Sequence, residues 1–293
     1  AVKAREGRFR LISGVSLLDN LKERALCSAQ NNEEIAQWAT CPSKPGLGLH
    51  DEGMQAMAAS LVDMLSRGPL LEADVRGWDW SVQAWELAAD AERRRRLSGA
   101  DVDSLFAFML RVQALCVARS VFVIPGGEMV AQQVDGGQVS GSYNTSSTNS
   151  SMRVLASLVA RFLAGHALVG RLDVAAMGDD SVERFYSGLV ENLEKLGHCI
   201  KQTKLNTVLA GVEFCSHVWN SSGFAAPSNV GKTLFRYFSH PVDSADYPLW
   251  FVQIQWFLRH HPQSEEFCRT LRVRAERCVQ LLSLDNETGE PLV

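Results

Sequence analysis

Residues 177–180, Met177-Gly178-Asp179-Asp180, place two adjacent carboxylates after a glycine. The runs on either side, residues 171–176 and 181–186, have the character of β-strands. The pattern therefore predicts a β-hairpin whose turn is the Gly-Asp pair and whose tip carries acidic side chains beyond the end of a sheet. Gly and Asp are also the ordinary residues of exposed turns, so this motif alone does not establish a catalytic site.

Other polar segments precede and follow this hairpin. Residues 71–81 end an apolar, strand-like run on Asp74 and place a second carboxylate at Asp79. Residues 140–150, Ser-Gly-Ser-Tyr-Asn-Thr-Ser-Ser-Thr-Asn-Ser, join a glycine loop to a helix pattern, and residues 212–217 read Val-Glu-Phe-Cys-Ser-His. Aspartate oxygens are hard ligands for Mg²⁺ or Mn²⁺, and two such ions can assist an in-line phosphoryl displacement. The acidic residues thus favour metal-dependent nucleotidyl transfer.

In this order the segments resemble motifs A, B, C and E of the palm domain of RNA-dependent RNA polymerases from plus-strand RNA viruses. The sobemovirus, polerovirus and barnavirus group is most similar, because its Gly-Trp-Asp-Trp-Ser, Ser-Gly-Ser-Tyr-Asn-Thr-Ser and Glu-Phe-Cys-Ser-His segments read much as they do here. The resemblance extends from about residue 3 to about residue 240. It implies template-directed RNA synthesis from nucleoside triphosphates, for viral genome replication and transcription.

The fold class that the resemblance implies is α+β, in the form of a right hand. An antiparallel palm sheet would be joined to helical fingers, truncated at the amino end, and to a short helical thumb. Apolar helix patterns at residues 249–258 and 265–282 support a helical thumb. The expected divisions are fingers at 1–68, palm at 69–97, a fingers insertion at 98–139, palm again at 140–238 and thumb at 239–293.

The resemblance implies that two Mg²⁺ ions, or Mn²⁺, are held by the carboxylates of Asp74, Asp179 and Asp180. The backbone carbonyl of Val75 would complete a ligand shell, since Mg²⁺ requires nearly octahedral oxygen coordination. Three carboxylates at adjacent strand ends carry too much negative charge to be stable without cations. We therefore expect all three to be metal ligands in the active enzyme.

A lysine is expected to act as general acid for the departing pyrophosphate. Residues 189–197 form an amphipathic helix pattern that ends on a C-cap glycine, and two lysines follow it. Lys204 is the expected residue by its distance beyond that glycine, and Lys201 is the alternative. An ammonium near the β-phosphate could donate a proton and offset the developing charge. A plain surface role for both lysines stays open.

Sugar selection is the role that the resemblance implies for Asp79. Together with Asn149 and the hydroxyl of Ser140 or Thr145, Asp79 would bond the ribose 2′-OH, the group that separates RNA from DNA. Gly141 belongs to the same nucleotide-binding loop, whose glycines would let it move with each translocation step. Two alternatives are that Asp79 is the N-cap of the helix that follows, and that the serine-rich segment is a flexible linker.

Basic residues are expected at the entrance for the triphosphate. Arg8 and Arg10 lie two positions apart in a segment that resembles motif F, so on a strand they would point to the same side and contact phosphate. A solvated strand edge is the alternative, and Lys3 and Arg5 stay open. The run at residues 93–96, four arginines, closes a helix pattern, so a charge cluster at a helix end is favoured over RNA contact.

The composition agrees with an intracellular enzyme. With 293 residues and 46% apolar content, the chain can bury a core large enough for two or three subdomains. Seven cysteines are scattered without a CxxC pair, which favours reduced thiols. The longest apolar runs are interrupted by charged residues, so no transmembrane span is expected. Because the net charge is −4, basic residues are expected to line a channel rather than to cover a broad surface.

The resemblance also implies partners and a location. Template and product RNA and nucleoside triphosphates are the expected partners, with a genome-linked viral protein and other replicase proteins beside them, in membrane-associated replication complexes of the host cytoplasm. Since the resembled polymerases carry more fingers sequence before motif F, the chain reads as a fragment of a longer polyprotein. A palm of the reverse transcriptase kind and a catalytically incomplete RNA-binding fragment remain as alternatives.

Overall fold

The computed structural model describes residues 13–168, 172–239 and 247–282. It is a mixed α/β chain whose described strands pair in antiparallel fashion. The helices are α1 (Leu17–Ala36), α2 (Asp51–Leu65), α3 (Trp78–Ser81), α4 (Ala84–Leu97), α5 (Leu105–Ala118), α6 (Thr145–Leu163), α7 (Leu189–Lys195), α8 (Val230–Phe238), α9 (Tyr247–Leu258) and α10 (Ser264–Leu282). The strands are β1 (Leu70–Val75), β2 (Val121–Val123), β3 (Met129–Ala131), β4 (Val174–Met177), β5 (Asp180–Arg184), β6 (Ile200–Asn206), β7 (Glu213–Phe214), β8 (His217–Trp219) and β9 (Ala225–Pro227).

The chain divides into two compact units. Residues 1–48 and 60–208 form the first unit, and residues 49–59 and 209–293 form the second. Within the described residues, none of the helices combines the length and the apolar character needed to cross a bilayer. The expectations for Lys3, Arg5, Arg8 and Arg10 lie outside the described residues.

A four-stranded sheet in the order β4-β5-β1-β6 organises the first unit. The predicted hairpin is confirmed, because β4 and β5 pair from Val174–Glu183 to Met177–Asp180 and leave only the Gly-Asp pair in the turn. Gly178 has a φ of 65°, as the first central residue of a type II′ turn requires. β1 lies between β5 and β6, so its apolar residues are buried in the middle of the sheet.

Helix α6 covers one face of this sheet. Its residues Ala156 and Ala160 pack with Leu71 of β1 and with Leu189 of α7, while Val154 packs against β4. The helix begins at the end of the glycine loop, as the sequence predicts. The alternative of a flexible serine-rich linker is therefore wrong, since most of those serines lie inside a buried helix.

The segment after β1 contains two helices, where the sequence suggested that one helix follows Asp79. Gly77, in the left-handed conformation, opens the one-turn helix α3, and the extended ψ of 127° at Val82 ends it. Helix α4 then begins anew with a capping box between Gln83 and Glu86. Asp79 lies in the first turn of α3, so the alternative that it is a helix N-cap is wrong.

The second unit contains the strands β7 to β9 and the helices α8 to α10. Ile254 and Leu258 of α9 and Leu271 of α10 form its apolar core, which confirms the helices predicted from the two apolar patterns. β7 and β8 form a hairpin whose turn, Cys215 and Ser216, has positive φ at both residues.

Candidate active site

The strand register brings the predicted catalytic aspartates to one edge of the sheet. β1 pairs with β5 from Leu70–Arg184 to Glu72–Val182, so the same register continued by two residues sets Asp74 beside Asp180. The side chain of Asp74 is 53% exposed although β1 is otherwise largely buried. Asp179 lies next to Asp180 at the tip of the hairpin. The three residues thus share the edge at which β1 ends.

A lysine already contacts the first of these carboxylates. Lys201 Nζ donates to Asp74 Oδ2 at 2.8 Å, and both side chains are about half exposed. Lys204 lies further along β6, opposite Glu72, whose carboxylate it approaches at 3.4 Å. The structure therefore places Lys201, the alternative for the general acid, beside Asp74 and leaves Lys204 at a neighbouring carboxylate.

The metal prediction can be compared with the donor atoms present. Among the described residues, no three His, Cys, Asp or Glu side chains are gathered into a group that could hold a metal ion. The Asp74 carboxylate is instead bonded to the Lys201 ammonium, a cation that offsets its charge. Aspartate oxygens are the ligands that divalent ions such as Mg²⁺ prefer, so the residues at this sheet edge suit such an ion. The pairing of β1 with β6 also shifts register between Asp74 and Val75, at the same edge.

The glycine loop before α6 is attached to the segment that follows β1. Ser140 Oγ donates to Asp79 Oδ2 at 2.5 Å, which joins two residues of the predicted sugar site. The backbone N–H of Gln138 also donates to the Asp79 carbonyl, at 2.7 Å. Thr145 directs its hydroxyl to the carbonyls of Val139 and Ser142 within the loop. The sugar-selecting role of Asp79 remains a prediction.

Asn149 is buried inside the first turns of α6. It is 5% exposed, and its Oδ1 has no hydrogen-bond partner among the described residues. A buried amide oxygen without a partner costs free energy, so it suits a site that a ligand completes. No direct bond between Asn149 and Asp79 is present within the described part of the chain.

Gly141 is required by a close approach of the backbone. A Cβ built on this residue would lie 2.0 Å from the carbonyl oxygen of Ser13. Because that obstacle is backbone rather than a movable side chain, any other residue would displace the loop. The loop is therefore closely packed at this position, against the expectation that Gly141 supplies freedom to move.

Glu23 of α1 holds the other end of the loop, and no sequence signal pointed to it. Its buried carboxylate accepts from the Ser142 hydroxyl and from the backbone N–H of Asn144. The backbone N–H of Tyr143 also donates to Asn20 Oδ1, at 2.7 Å. These partners lie about 120 residues away in the chain, so local patterning could not reveal the contact.

A buried charge network supports the start of α6. Arg94, 2% exposed, donates to Asp90 at 2.9 Å and to the Ser147 hydroxyl at 2.8 Å, while Ser147 donates to Glu34 at 2.8 Å. Burial raises the pKa of Asp90, but the nearby Arg94 and Arg93 outweigh it and hold that pKa below its usual value. The arginine run thus serves structure, as favoured from the sequence.

His198 connects the Asp79 segment to the strand that carries the lysines. Its ring stacks on Trp78 with centroids 4.7 Å apart, and its nitrogens lie 2.9 Å from Glu86 and 3.1 Å from Ser81. Because β6 begins two residues after His198, the stack holds the approach to β6 against the segment that follows β1.

Comparison with known proteins agrees with this geometry. A family model described as viral RNA-directed RNA-polymerase matches residues 1–229. The RNA-directed RNA polymerase of Mushroom bacilliform virus (isolate Australia/AUS LF-1) is 44% identical over 287 residues, which are 97% of this chain and 68% of that protein. The replicase polyprotein P2AB of Southern bean mosaic virus is 45% identical over 246 residues, covering 81% of this chain and 24% of the polyprotein.

Solved structures show the same fold. The RNA-dependent RNA polymerase of a human picobirnavirus superimposes on this chain with a TM-score of 0.68 at 14% sequence identity. The match covers 88% of this chain and 50% of the picobirnavirus polymerase. The chain therefore spans about half of that solved polymerase, a quarter of the polyprotein and two thirds of the mushroom virus polymerase. With a family model that matches most of its length and a relative 44% identical along nearly all of it, the chain belongs to the viral RNA-directed RNA polymerase family.

Proposed function

We propose that this chain is the catalytic core of an enzyme that copies an RNA template by adding nucleoside monophosphates to a 3′-OH. The observation that carries the proposal is the shared sheet edge of Asp74, Asp179 and Asp180, set by the pairing of β1 and β5. Membership of the polymerase family supports the same reaction.

The right-hand division follows from this proposal. The sheet β4-β5-β1-β6 with α6 and α7 is proposed as the palm, interrupted by a fingers insertion that contains α5 and the β2–β3 pair. Helices α8 to α10 of the second unit would supply the end of the palm and the thumb. The boundaries proposed remain 1–68, 69–97, 98–139, 140–238 and 239–293.

Two Mg²⁺ ions, replaceable by Mn²⁺, are proposed as cofactors held by Asp74, Asp179, Asp180 and the Val75 carbonyl. Bound there, such ions supply charge that stabilises the attacking and leaving oxygens. Lys201 pairs with Asp74 in the structure described here. With divalent cations at the carboxylates, Lys201 would no longer be needed to offset the charge of Asp74, and its Nζ could donate a proton to the departing pyrophosphate. Lys204 is the second candidate for this role.

Sugar recognition is proposed for the segment between β1 and α6. Asp79, held by Ser140, and the unpartnered amide oxygen of Asn149 would bond the ribose hydroxyls, with Gly141 and Thr145 shaping the loop. Arg8 and Arg10 remain proposed contacts of the triphosphate. The support for this assignment is the buried, unsatisfied polar atom beside a loop attached to the Asp79 segment.

Partners and location follow from the reaction. We propose RNA and nucleoside triphosphates as substrates, with a genome-linked viral protein and other replicase proteins as partners in membrane-associated complexes of the host cytoplasm. Support comes from the replicase polyprotein to which the chain is similar.

The test is the replacement of one carboxylate at the turn. Asp179→Asn in the full-length polymerase should abolish nucleotide addition in a primer-extension assay with Mg²⁺, because a neutral amide holds a divalent ion poorly. The matched control is Asp103→Asn, which changes an exposed aspartate in a turn remote in sequence from the three acids. Wild-type turnover by the Asp179 variant would show the assignment to be wrong.

A second candidate is RNA binding without catalysis. It is favoured by one observation, the ion pair between Lys201 and Asp74. In that case RNA affinity would be intact and nucleotide addition undetectable with every metal tested, in the wild-type protein as well as in the variant.

A further inference from the structure

A single hydroxyl joins helix α6 to the turn that carries Asp179. The backbone N–H of Gly178 donates to Ser150 Oγ at 2.8 Å. The same hydroxyl donates its proton to the Ser146 carbonyl, one helical turn earlier, at 2.7 Å. Ser150 is fully buried. Both hydrogen-bonding roles of this hydroxyl are thus fixed, and its lone pair points at the turn.

Ser150 lies at one end of a side of α6 that packs along the β4–β5 hairpin. One turn after Ser150, Arg153 forms a buried ion pair of 2.8 Å with Glu183 of β5. Val154 packs against Val174 and Ala176 of β4. Positions three to four residues apart on a helix lie on one side, so this face contacts both strands, and Ser150 contacts the turn between them.

The Ser150 bond reaches the hairpin beyond the end of its ladder. The ladder between β4 and β5 ends at the Met177–Asp180 pair, and Gly178 lies in the turn that follows Met177. The bond therefore ties the Gly178 peptide of the turn to helix α6. Asp179 follows that peptide directly, so its position relative to Asp74 depends on the same bond.

We propose that Ser150 is a positioning residue for nucleotide addition, which places the Asp179 carboxylate by fixing the peptide before it. The proposal rests on the proposed function, in which Asp179 holds a divalent ion. Since Asn149 is the neighbouring residue of the same helix turn, α6 also sets the distance between the sugar site and the metal-binding turn. Ser150 touches neither substrate nor metal and acts through Gly178.

The experiment compares Ser150→Ala with Ser151→Ala in the full-length polymerase. Ser151 is the matched control, because it is a buried serine of the same helix whose hydroxyl has no partner among the described residues. The first measurement is amide hydrogen exchange at Gly178 without metal. We expect a protected amide in the wild-type protein and in Ser151→Ala, and exchange about tenfold faster in Ser150→Ala, as the loss of one hydrogen bond predicts.

The second measurement is the Mg²⁺ concentration that gives half-maximal nucleotide addition. In Ser150→Ala it should rise several-fold and kcat should fall roughly tenfold, less than the roughly hundredfold that a misplacement of about 1 Å can cost. The KM for nucleotide should not change, because the sugar site is intact. Ser151→Ala should match the wild-type protein in all three quantities.

Two results overturn the proposal. An unprotected Gly178 amide in the wild-type protein removes the anchor, and this result needs no folded variant. Faster exchange in Ser150→Ala with unchanged kcat and Mg²⁺ dependence would leave the bond a structural contact only. Either outcome is distinct from failure of the proposed function, which is decided by turnover of Asp179→Asn.

Discussion

The Asp74 carboxylate has two possible charge partners, a lysine that is present and a divalent ion that the proposed reaction requires. Its bond to Lys201 is between half-exposed groups, and such pairs add only about 0–1 kcal/mol to stability. A pair this weak can be exchanged for a stronger ligand. In the proposed reaction Lys201 would then lie beside the reacting phosphates, while Lys204 lies next to Glu72 in the structure.

The first prediction separates these two lysines. Lys201→Ala should lower kcat by roughly a hundredfold, the lower range of what a positioned general acid contributes. Lys204→Ala should change kcat by less than about threefold, because its ammonium lies beside Glu72 rather than Asp74. Single-turnover nucleotide addition measures both variants. The reverse order would return the general-acid role to Lys204, which the distance along the sequence favours.

The second prediction concerns Asn149. Replacing it with Ala should reduce addition of ribonucleotides far more than addition of deoxyribonucleotides, because only a 2′-OH can satisfy the amide. Addition of GTP and dGTP opposite one template cytosine measures the ratio.

The matched control is Asn192→Ala, which removes a buried amide that bonds the Ala160 carbonyl in the same unit. That variant should lose stability, of the order of 1–3 kcal/mol, without a change of sugar preference. An equal loss for both sugars in the Asn149 variant would reduce Asn149 to an ordinary helix residue.

At the scale of elements, the start of α6 depends on charges supplied by other helices. Its N-cap, Asn144, makes no side-chain capping bond. Glu23, Glu34 and Asp90 instead place three carboxylates near the first turn, where a helix dipole favours negative charge. Buried carboxylates need cationic partners, and Arg94 pairs with Asp90 while Arg93 pairs with Glu34.

The third prediction tests that network. Arg94→Met should lower the free energy of unfolding by about 3–5 kcal/mol, since it removes the buried one of the two arginines that pair with Asp90. Arg96→Met is the control from the same arginine run, because Arg96 is 74% exposed and should cost under about 0.5 kcal/mol. Urea denaturation compares the two. Equal midpoints would mean that the buried guanidinium contributes nothing that a surface one does not.

Local pattern predicted the elements but not their partners. The hairpin around Gly178, the helix that follows the glycine loop and the helix before Gly197 each follow from neighbouring residues, and all three are confirmed. The break at Val82 was missed, because an apolar residue gives no signal of an extended backbone. The roles of Glu23 and Ser150 could not be predicted either, since each depends on a contact from a distant segment.

For the whole chain, the proposed function rests on two findings together. One is the sheet edge of the first unit where the three aspartates lie, and the other is membership of the polymerase family. Helices α9 and α10 were predicted from apolar periodicity alone, and their proposed role as a thumb rests on the resemblance to polymerases. Which template and which sugar are used depends on the assembled enzyme.

The fourth prediction concerns that choice. In primer extension with RNA and DNA templates, the full-length polymerase should add ribonucleotides on RNA and add deoxyribonucleotides at least about a hundredfold more slowly. About a third of the mushroom virus polymerase is not matched by this chain. The same assay on this chain alone shows whether nucleotide addition requires sequence beyond the matched part. Efficient use of deoxyribonucleotides would instead support a palm of the reverse transcriptase kind.

The contact between Gly141 and the Ser13 carbonyl has a consequence for the genome that encodes this chain. Every change of the first or second base of a glycine codon either ends the chain or replaces the glycine, and each replacement adds at least a Cβ where the backbone leaves no room. An enzyme that copies without correcting its errors would generate such genomes continually. A genome with such a change at the codon for Gly141 would encode a polymerase with a displaced loop and would not be copied further. Natural variation in that codon should therefore be confined to the third base.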